Sequence, residues 1–259
     1  MEYIPIRVSA KQGRFNLYQT IRDAVKEQGE EILDEDILAV SSKFIAMSEG
    51  RVVDLESVKA SVEAVKLSTA AHIPSSLAEL ILREADRVFS TLPGFVLTIK
   101  HGVLVPNAGI DRSNVKGGSA ILYPRDPVAA AEKLRLQILM DLGKRVGVVV
   151  TDSRLMPTRV GTTGIAVAVA GFEAVSDERG KTDLFGNIMR VTRRALADDI
   201  SAGANLLMGE TSESTPVVII RGSGLTIVDR AVETEDLAIT GDECVFIRGL
   251  SNQETTVYI

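Results

Sequence analysis

The run Val146-Gly147-Val148-Val149-Val150 constrains the fold more than any other stretch of this chain. It is too short to cross a membrane and too rich in β-branched residues for a helix. It therefore predicts a strand buried on both faces, the kind found in sheets covered by helices. Thr151, Asp152 and Ser153 follow at once. They are expected to emerge at the strand's C-terminal end, where open α/β sheets place their ligands. A carboxylate beside a hydroxyl suits Mg²⁺ or Mn²⁺, which take oxygen ligands and keep positions free for phosphate oxygens. An Asx turn opening the next loop would explain the same residues equally well.

Helical and extended patterns alternate around that strand. Asn16–Gln28 predicts a helix, Ile37–Ser41 a buried strand, and Ser75–Phe89 a helix with Ser75 as its cap. Asp126–Leu142 carries an apolar stripe of Ala130, Leu134, Ile138 and Leu142, and Gly143 can end the helix. Gly164–Gly171 alternates, Ile188–Thr192 looks strand-like, Arg194–Leu207 helical, and Pro216–Ile220 is a second branched strand. Ser176–Asp183 is expected to be a surface loop. The expected class is α+β, with mixed sheets and packed helices in one large domain or two lobes.

Two loops add chemistry. Val105-Pro106-Asn107-Ala108-Gly109-Ile110-Asp111-Arg112-Ser113-Asn114 sets amides, a carboxylate, a hydroxyl and a glycine between the extended runs Gly94–Lys100 and Ala120–Tyr123. Short polar side chains of this kind suit turns, metal ions and phosphates. A turn in which Asp111 and Asn114 bond their own backbone is the simpler account. In the second loop a helical pattern (Ile200, Ala204, Leu207) runs into Met208-Gly209-Glu210-Thr211-Ser212-Glu213-Ser214-Thr215. Glu210 is a further candidate oxygen ligand, unless the loop is merely solvated.

Composition removes other classes. With 35 acidic against 29 basic residues, no tryptophan and no basic stripe with interleaved aromatics, nucleic-acid binding is not expected. No apolar run approaches the roughly twenty residues a membrane span needs, and no signal peptide is visible. The single cysteine, Cys244, excludes an internal disulfide and fits a reduced cytoplasm. Among Val245, Phe246 and Ile247 it is expected to pack in the core. Two histidines are too few for a usual zinc site. His72 is expected to be structural, and His101 beside the first loop is a candidate substrate contact. Gly180-Lys181-Thr182 lacks the upstream glycine of a phosphate loop, and Ile227 stands at the third glycine of a dinucleotide motif after Gly222-Ser223-Gly224. Any nucleotide site must be assembled from dispersed loops.

Taken in order, Asn107-Ala-Gly-Ile-Asp111, the Thr151-Asp152-Ser153 segment and Leu206-Leu-Met-Gly-Glu210 resemble the coenzyme F420-0:L-glutamate ligase family. Ser48-Glu49-Gly50-Arg51-Val52, Ala131-Glu132-Lys133-Leu134-Arg135 and Asp183-Leu184-Phe185-Gly186 extend the resemblance, which covers roughly residues 1–222. It implies a GTP-dependent amide ligase that adds L-glutamate to coenzyme F420-0 through an acyl phosphate. It also implies two divalent cations (Mg²⁺ or Mn²⁺), K⁺ in some members, and an intertwined homodimer. By matching position, Asp111 and Asp152 are implied ligands of one divalent ion, and Ser153 and Glu210 of the other. Asn114 and the Met208–Thr215 loop are implied nucleotide contacts, and Arg159 persists near the substrate-facing segment.

The chain also departs from the family. Met47 replaces a lysine that contacts nucleotide phosphate, and Ser9-Ala10-Lys11-Gln12-Gly13-Arg14 replaces an early nucleotide segment. Lys11 and Arg14 are the candidate substitutes there, unless they are solvated loop charges. Lys43, four residues before Met47, would lie roughly 13 Å away on a strand, beyond the reach of its stem. Leu155-Met156-Pro157 also differs from the family pattern. A ligase acting on a folate-like or other carboxylate, or a non-catalytic nucleotide- or cofactor-binding homologue, are the alternatives these departures leave open.

Overall fold

A computed structural model describes residues 1–11, 13–230 and 232–251. Gln12, Ala231 and residues 252–259 of the domain expected from the sequence therefore lie outside the described residues. In chain order come β1 (Glu2–Ile6), α1 (Leu17–Glu27), β2 (Ile37–Ser41), α2 (Ser42–Ser48) and β3 (Val52–Asp54). Next are α3 (Val62–Ala71), α4 (Ser75–Glu84), β4 (Arg87–Leu92), β5 (Phe95–Lys100), β6 (Val103–Pro106) and β7 (Ser119–Ile121). The chain continues with α5 (Pro127–Leu142), β8 (Gly147–Leu155), β9 (Thr162–Ala170), β10 (Ser176–Asp177) and β11 (Arg193–Arg194). It ends with α6 (Leu196–Met208), β12 (Val217–Arg221) and α7 (Val245–Ser251). The class is α+β, as expected.

The main sheet has the order β1-β12-β2-β8-β9, and only β2 and β8 run parallel. Its central strands are buried on both faces because side chains alternate across the pleat. Leu38, Val40, Val148, Val150 and Ile219 pack against α1, α2 and α5, whose Ile21, Ile45 and Ile138 complete that core. Ala39, Val149, Val218 and Ile220 face the other way, onto Ile200 and Ala204 of α6. A third core joins α3 and α4 to Val96, Ile110, Ala120 and Leu122, beside the sheet β4-β5-β6 and the ribbon β3-β7. Arg51 ties this part to the rest: Nε donates to the Tyr123 carbonyl at 2.6 Å and the guanidinium pairs with Glu84 at 2.5 Å.

Gly143 ends α5 in a left-handed conformation, as expected, and the helices expected from Asn16 and Asp126 form with those two residues as side-chain caps rather than first helical residues. Leu134 and Ile138 of the predicted stripe are buried, but Leu142 is exposed.

Other expectations need correction. The helix expected over Ser75–Phe89 stops at Glu84, and Pro74 rather than Ser75 takes the cap position. There Asp86 bonds the Ile99 carbonyl, and Val88 pairs with Thr98, so extended pairing beats helical continuation. Ile188–Thr192 is not a strand. Ile188 makes only an isolated bridge to Thr182, and pairing resumes at Arg193–Arg194 opposite Ser176–Asp177. Cys244 is only half-buried, next to exposed Val245 and Phe246, so it is not core packing. Exposed His72 serves as the left-handed C-cap of α3, a structural role as expected.

Candidate active-site cleft

A cleft of about 410 Å³ opens where the parallel pair β2 and β8 ends. Its wall brings together Asp111, Asn114, Asp152, Ser153 and the whole Met208–Thr215 loop, segments far apart in sequence. Lys11, Lys43 and Met47 line it as well. Dispersed loops thus share one wall. Within it, however, three carboxylates do not gather around a common point: among the described residues no group of three or more acidic, His or Cys side chains is spaced to hold a metal ion. Asp111 and Asp152 are close enough to influence each other electrostatically, whereas Glu210 turns aside to accept from Thr162 Oγ1 at 3.0 Å.

Asp152 does not emerge at a strand end as expected. β8 continues to Leu155, paired with β9 beyond the point where β2 leaves it. A register shift between Val150 and Thr151 marks the change, and such a bulge re-aims side chains next to a site. Thr151 then points at α6, donating to Ser201 Oγ at 3.1 Å. Asp152, on the opposite face, meets Ser42 and Tyr123. Burial raises its pKa to about 6, against the opposing pull of Ser42 and the Ser153 amide.

Asp111 is held differently. Asn107, Ala108 and Gly109 all have positive φ, a sharp left-handed turn. Ala108 in that region costs about 1 kcal/mol, and β5 holds the turn in place. The Val96 amide donates to Asn107 Oδ1 at 2.8 Å, and the Ala108 amide to Thr98 Oγ1 at 2.9 Å. Gly109 is obligatory, since a Cβ there would lie 2.3 Å from the Tyr123 ring. Asp111 then accepts from the Ser113 amide at 2.7 Å and Ser113 Oγ at 2.9 Å, and forms an ion pair with Lys43. Burial pushes its pKa up, but Lys43 and Ser113 outweigh that and leave it below the ordinary value. The self-capped turn expected of Asp111 is present. Asn114 instead reaches across the cleft, donating to the Thr211 carbonyl at 2.8 Å.

The loop after α6 curls on Glu213, whose carboxylate accepts from the Thr211 amide at 2.8 Å and Thr211 Oγ1 at 3.0 Å. Gly209, at φ +67 and ψ −175, adopts a backbone conformation that favours glycine. As the sequence suggested, this glycine ends the helix.

Three candidates fall elsewhere. Arg14 lies over Gly50 and donates to the Glu49 carbonyl at 2.9 Å, lining a separate groove beside α5. Exposed Arg159 sits in the β8–β9 connection outside the cleft wall. His101 stacks on Tyr123 at 6.0 Å and contacts the Pro124 carbonyl at 3.3 Å; burial, then Lys100, lower its pKa.

The strand geometry assumed for Lys43 is also corrected. Residues 42–48 form α2, so Lys43 and Met47 stand one helical turn apart on the cleft wall. Sequence reasoning missed Tyr123. It is 2% exposed, and its hydroxyl approaches the buried Asp152 carboxylate without reaching ideal hydrogen-bond geometry. The one available signal was a tyrosine ending an apolar run, which usually means core.

Fold and cleft together define an α+β protein whose polar site forms where the parallel pairing of β2 with β8 ends, from segments contributed by both parts of the molecule. Comparison with known proteins makes this specific. The sequence profile of the family described as F420-0:Gamma-glutamyl ligase matches residues 6–222. The chain belongs to that family. It is 38% identical over 203 residues to the coenzyme F420:L-glutamate ligase of Methanothermobacter thermautotrophicus, covering 78% of this chain and 81% of that protein. The protein of the same name from Archaeoglobus fulgidus is 41% identical over 189 residues, covering 73% and 76%. That of Methanocaldococcus jannaschii is 40% identical over 195 residues, covering 75% and 78%.

Proposed function

We propose that this chain is a coenzyme F420-0:L-glutamate ligase, metal-dependent and driven by GTP. The observation that carries the proposal is the convergence of Asp111, Asp152, Ser153 and the Met208–Thr215 loop on one cleft, in a chain from a family of that name. In the reaction, the acceptor carboxylate attacks the γ-phosphorus and GDP leaves. The amine of glutamate then attacks the acyl phosphate, expelling phosphate and forming the amide. Phosphoryl transfer needs position and positive charge more than covalent help.

The donors in the cleft fit divalent cations in kind. Asp111 and Asp152 interact electrostatically across the cleft wall, and Ser153 adds an oxygen beside them. Glu210 would have to leave Thr162 to join them. Mg²⁺ or Mn²⁺ held there, with K⁺ as a further requirement, would neutralise phosphate charge. Asn114 and the Thr211 segment, already bonded across the cleft, would flank the nucleotide.

Cytoplasmic residence and a homodimer belong to the same proposal. The lone Cys244 suits a reducing compartment, and among the described residues no helix is long and apolar enough to cross a membrane. Exposed Leu184, Phe185, Ile188 and Val191 offer an apolar surface for a second copy. Light scattering of the purified chain decides the oligomeric state.

Mass spectrometry after incubation with F420-0, glutamate, GTP and Mn²⁺ tests the central proposal. The expected product is heavier than F420-0 by one or more glutamyl residues. Product only when F420-0 is replaced by a folate would favour the other acceptor, and no product with any acceptor would favour a binding homologue.

A further inference from the structure

Lys43 carries an inference that rests on the nucleotide-binding part of this reading and extends it. Its side chain is 27% exposed, and its ammonium bridges Asp111 and Ser113 Oγ, donating to the latter at 2.8 Å. Both Lys43 and Met47 face the cleft from α2. Residues four apart on a helix have Cβ atoms roughly 5–6 Å apart. A lysine at 43 therefore sweeps the same patch of wall as one at 47 would. The Gly209–Ser214 loop lines the same cleft, and Asp111 is the carboxylate on which a divalent cation would act.

Lys43 sits on Asp111 Oδ2, while Oδ1 accepts from the Ser113 amide, so a divalent cation that takes the Oδ2 side displaces the ammonium. Whatever takes Asp111 from Lys43 leaves that charge on a flexible four-carbon stem inside the cleft, seeking an anion. A nucleoside triphosphate supplies one. We propose that Lys43 couples divalent-cation binding to nucleotide binding. Its ammonium pairs either with Asp111 or with a nucleotide phosphate, so a cation at Asp111 raises nucleotide affinity through Lys43. Linkage makes the effect reciprocal: nucleotide must tighten the divalent site by the same factor.

Isothermal titration of the full-length protein with GTP, with ATP and with Mn²⁺, singly and together, tests this. Lys43→Met should lose about tenfold or more in nucleotide affinity in the presence of Mn²⁺, the scale of one charge-assisted contact. The same variant should bind Mn²⁺ alone severalfold more tightly, because nothing competes for Asp111. Mn²⁺ should therefore enhance nucleotide binding far less than in the wild type. The double variant Lys43→Met/Met47→Lys should recover nucleotide affinity from the neighbouring turn. Lys43→Gln, which keeps a donor for Ser113 without the charge, should behave as Lys43→Met does and guards against a folding defect. Unchanged nucleotide affinity in both single variants, or weaker Mn²⁺ binding by both, would overturn the inference. A wild-type chain that binds neither GTP nor ATP would instead defeat the parent reading, an outcome visible before any variant is made.

Discussion

Asp152 and Asp111 face one cleft but are solved in opposite ways. Asp152 sits within a strand, over a core, and burial lifts its pKa to about 6. Asp111 sits on a strained loop, and Lys43 with Ser113 brings its pKa below the ordinary value. A carboxylate in the sheet is rigid and expensive to ionise; one on a loop is compensated and easily kept charged. The pair teaches that a site can divide its requirements, with one acid fixing the place and the other supplying the charge.

The sharpest attempt to break this contrast is Asp152→Asn. Turnover should fall at least a hundredfold with the fold intact, since a ligand charge disappears where none can be replaced. Wild-type-like turnover at saturating Mn²⁺ would end its assignment as a ligand.

Gly109→Ala attacks the loop instead. The new Cβ would meet the buried Tyr123 ring at 2.3 Å with φ at +70°. The expected cost is about 2–3 kcal/mol, or roughly 5–10 °C of Tm by calorimetry. An unchanged Tm would show that the loop relaxes freely and does not fix Asp111.

Stability against pH separates the two acids more finely. Asp152 binds its proton more tightly folded than unfolded, so its contribution falls as pH rises from about 4 to about 6 and stays unfavourable above. In metal-free buffer, Asp152→Asn should raise Tm by a few degrees at pH 7, and the gain should vanish near pH 4. Asp111 has the depressed value, so its contribution is present at neutral pH and lost as acid protonates it. Asp111→Asn should therefore lower Tm slightly at pH 7. Thermal scans giving the same sign for both variants would abolish the contrast.

The smallest effect is expected at the early segment. Lys11 lines the cleft, so Lys11→Ala should raise the KM for GTP severalfold with less change for glutamate. Arg14 is spent on the Glu49 carbonyl, so Arg14→Ala should leave nucleotide kinetics alone. Equal effects in steady-state assays would mean that Arg14 swings into the site.

What was legible in the sequence follows the same division. Branched runs such as Val148–Val150 and Ile219–Ile220 declare buried strands because alternating faces must both be apolar. Asn16, Asp126, Gly143 and Gly209 declare helix ends because their chemistry is local. Asp111, Asp152 and Glu210 were identifiable as candidates, but their mutual geometry was not, since it depends on the β2–β8 pairing and on Thr162. Nothing local reveals that β8 runs through Asp152; its partner there is Ile165 of β9. The helix over 42–48 was equally hidden. Lys-Phe-Ile-Ala-Met reads as strand or helix until Phe44 and Ile45 are seen packing under the sheet.

The parallel pairing of β2 with β8 has a consequence in time. Ile37 and Gly147 are partners across more than a hundred intervening residues, and long-range parallel pairing is slow to form. The walls of the cleft come into register only when that seam closes, so a chain caught before closure has no place for nucleotide. Ligand should then leave the refolding rate almost untouched and slow unfolding instead, as expected of interactions absent from the folding transition state. For this fold, binding is a lock applied after assembly rather than a guide toward it.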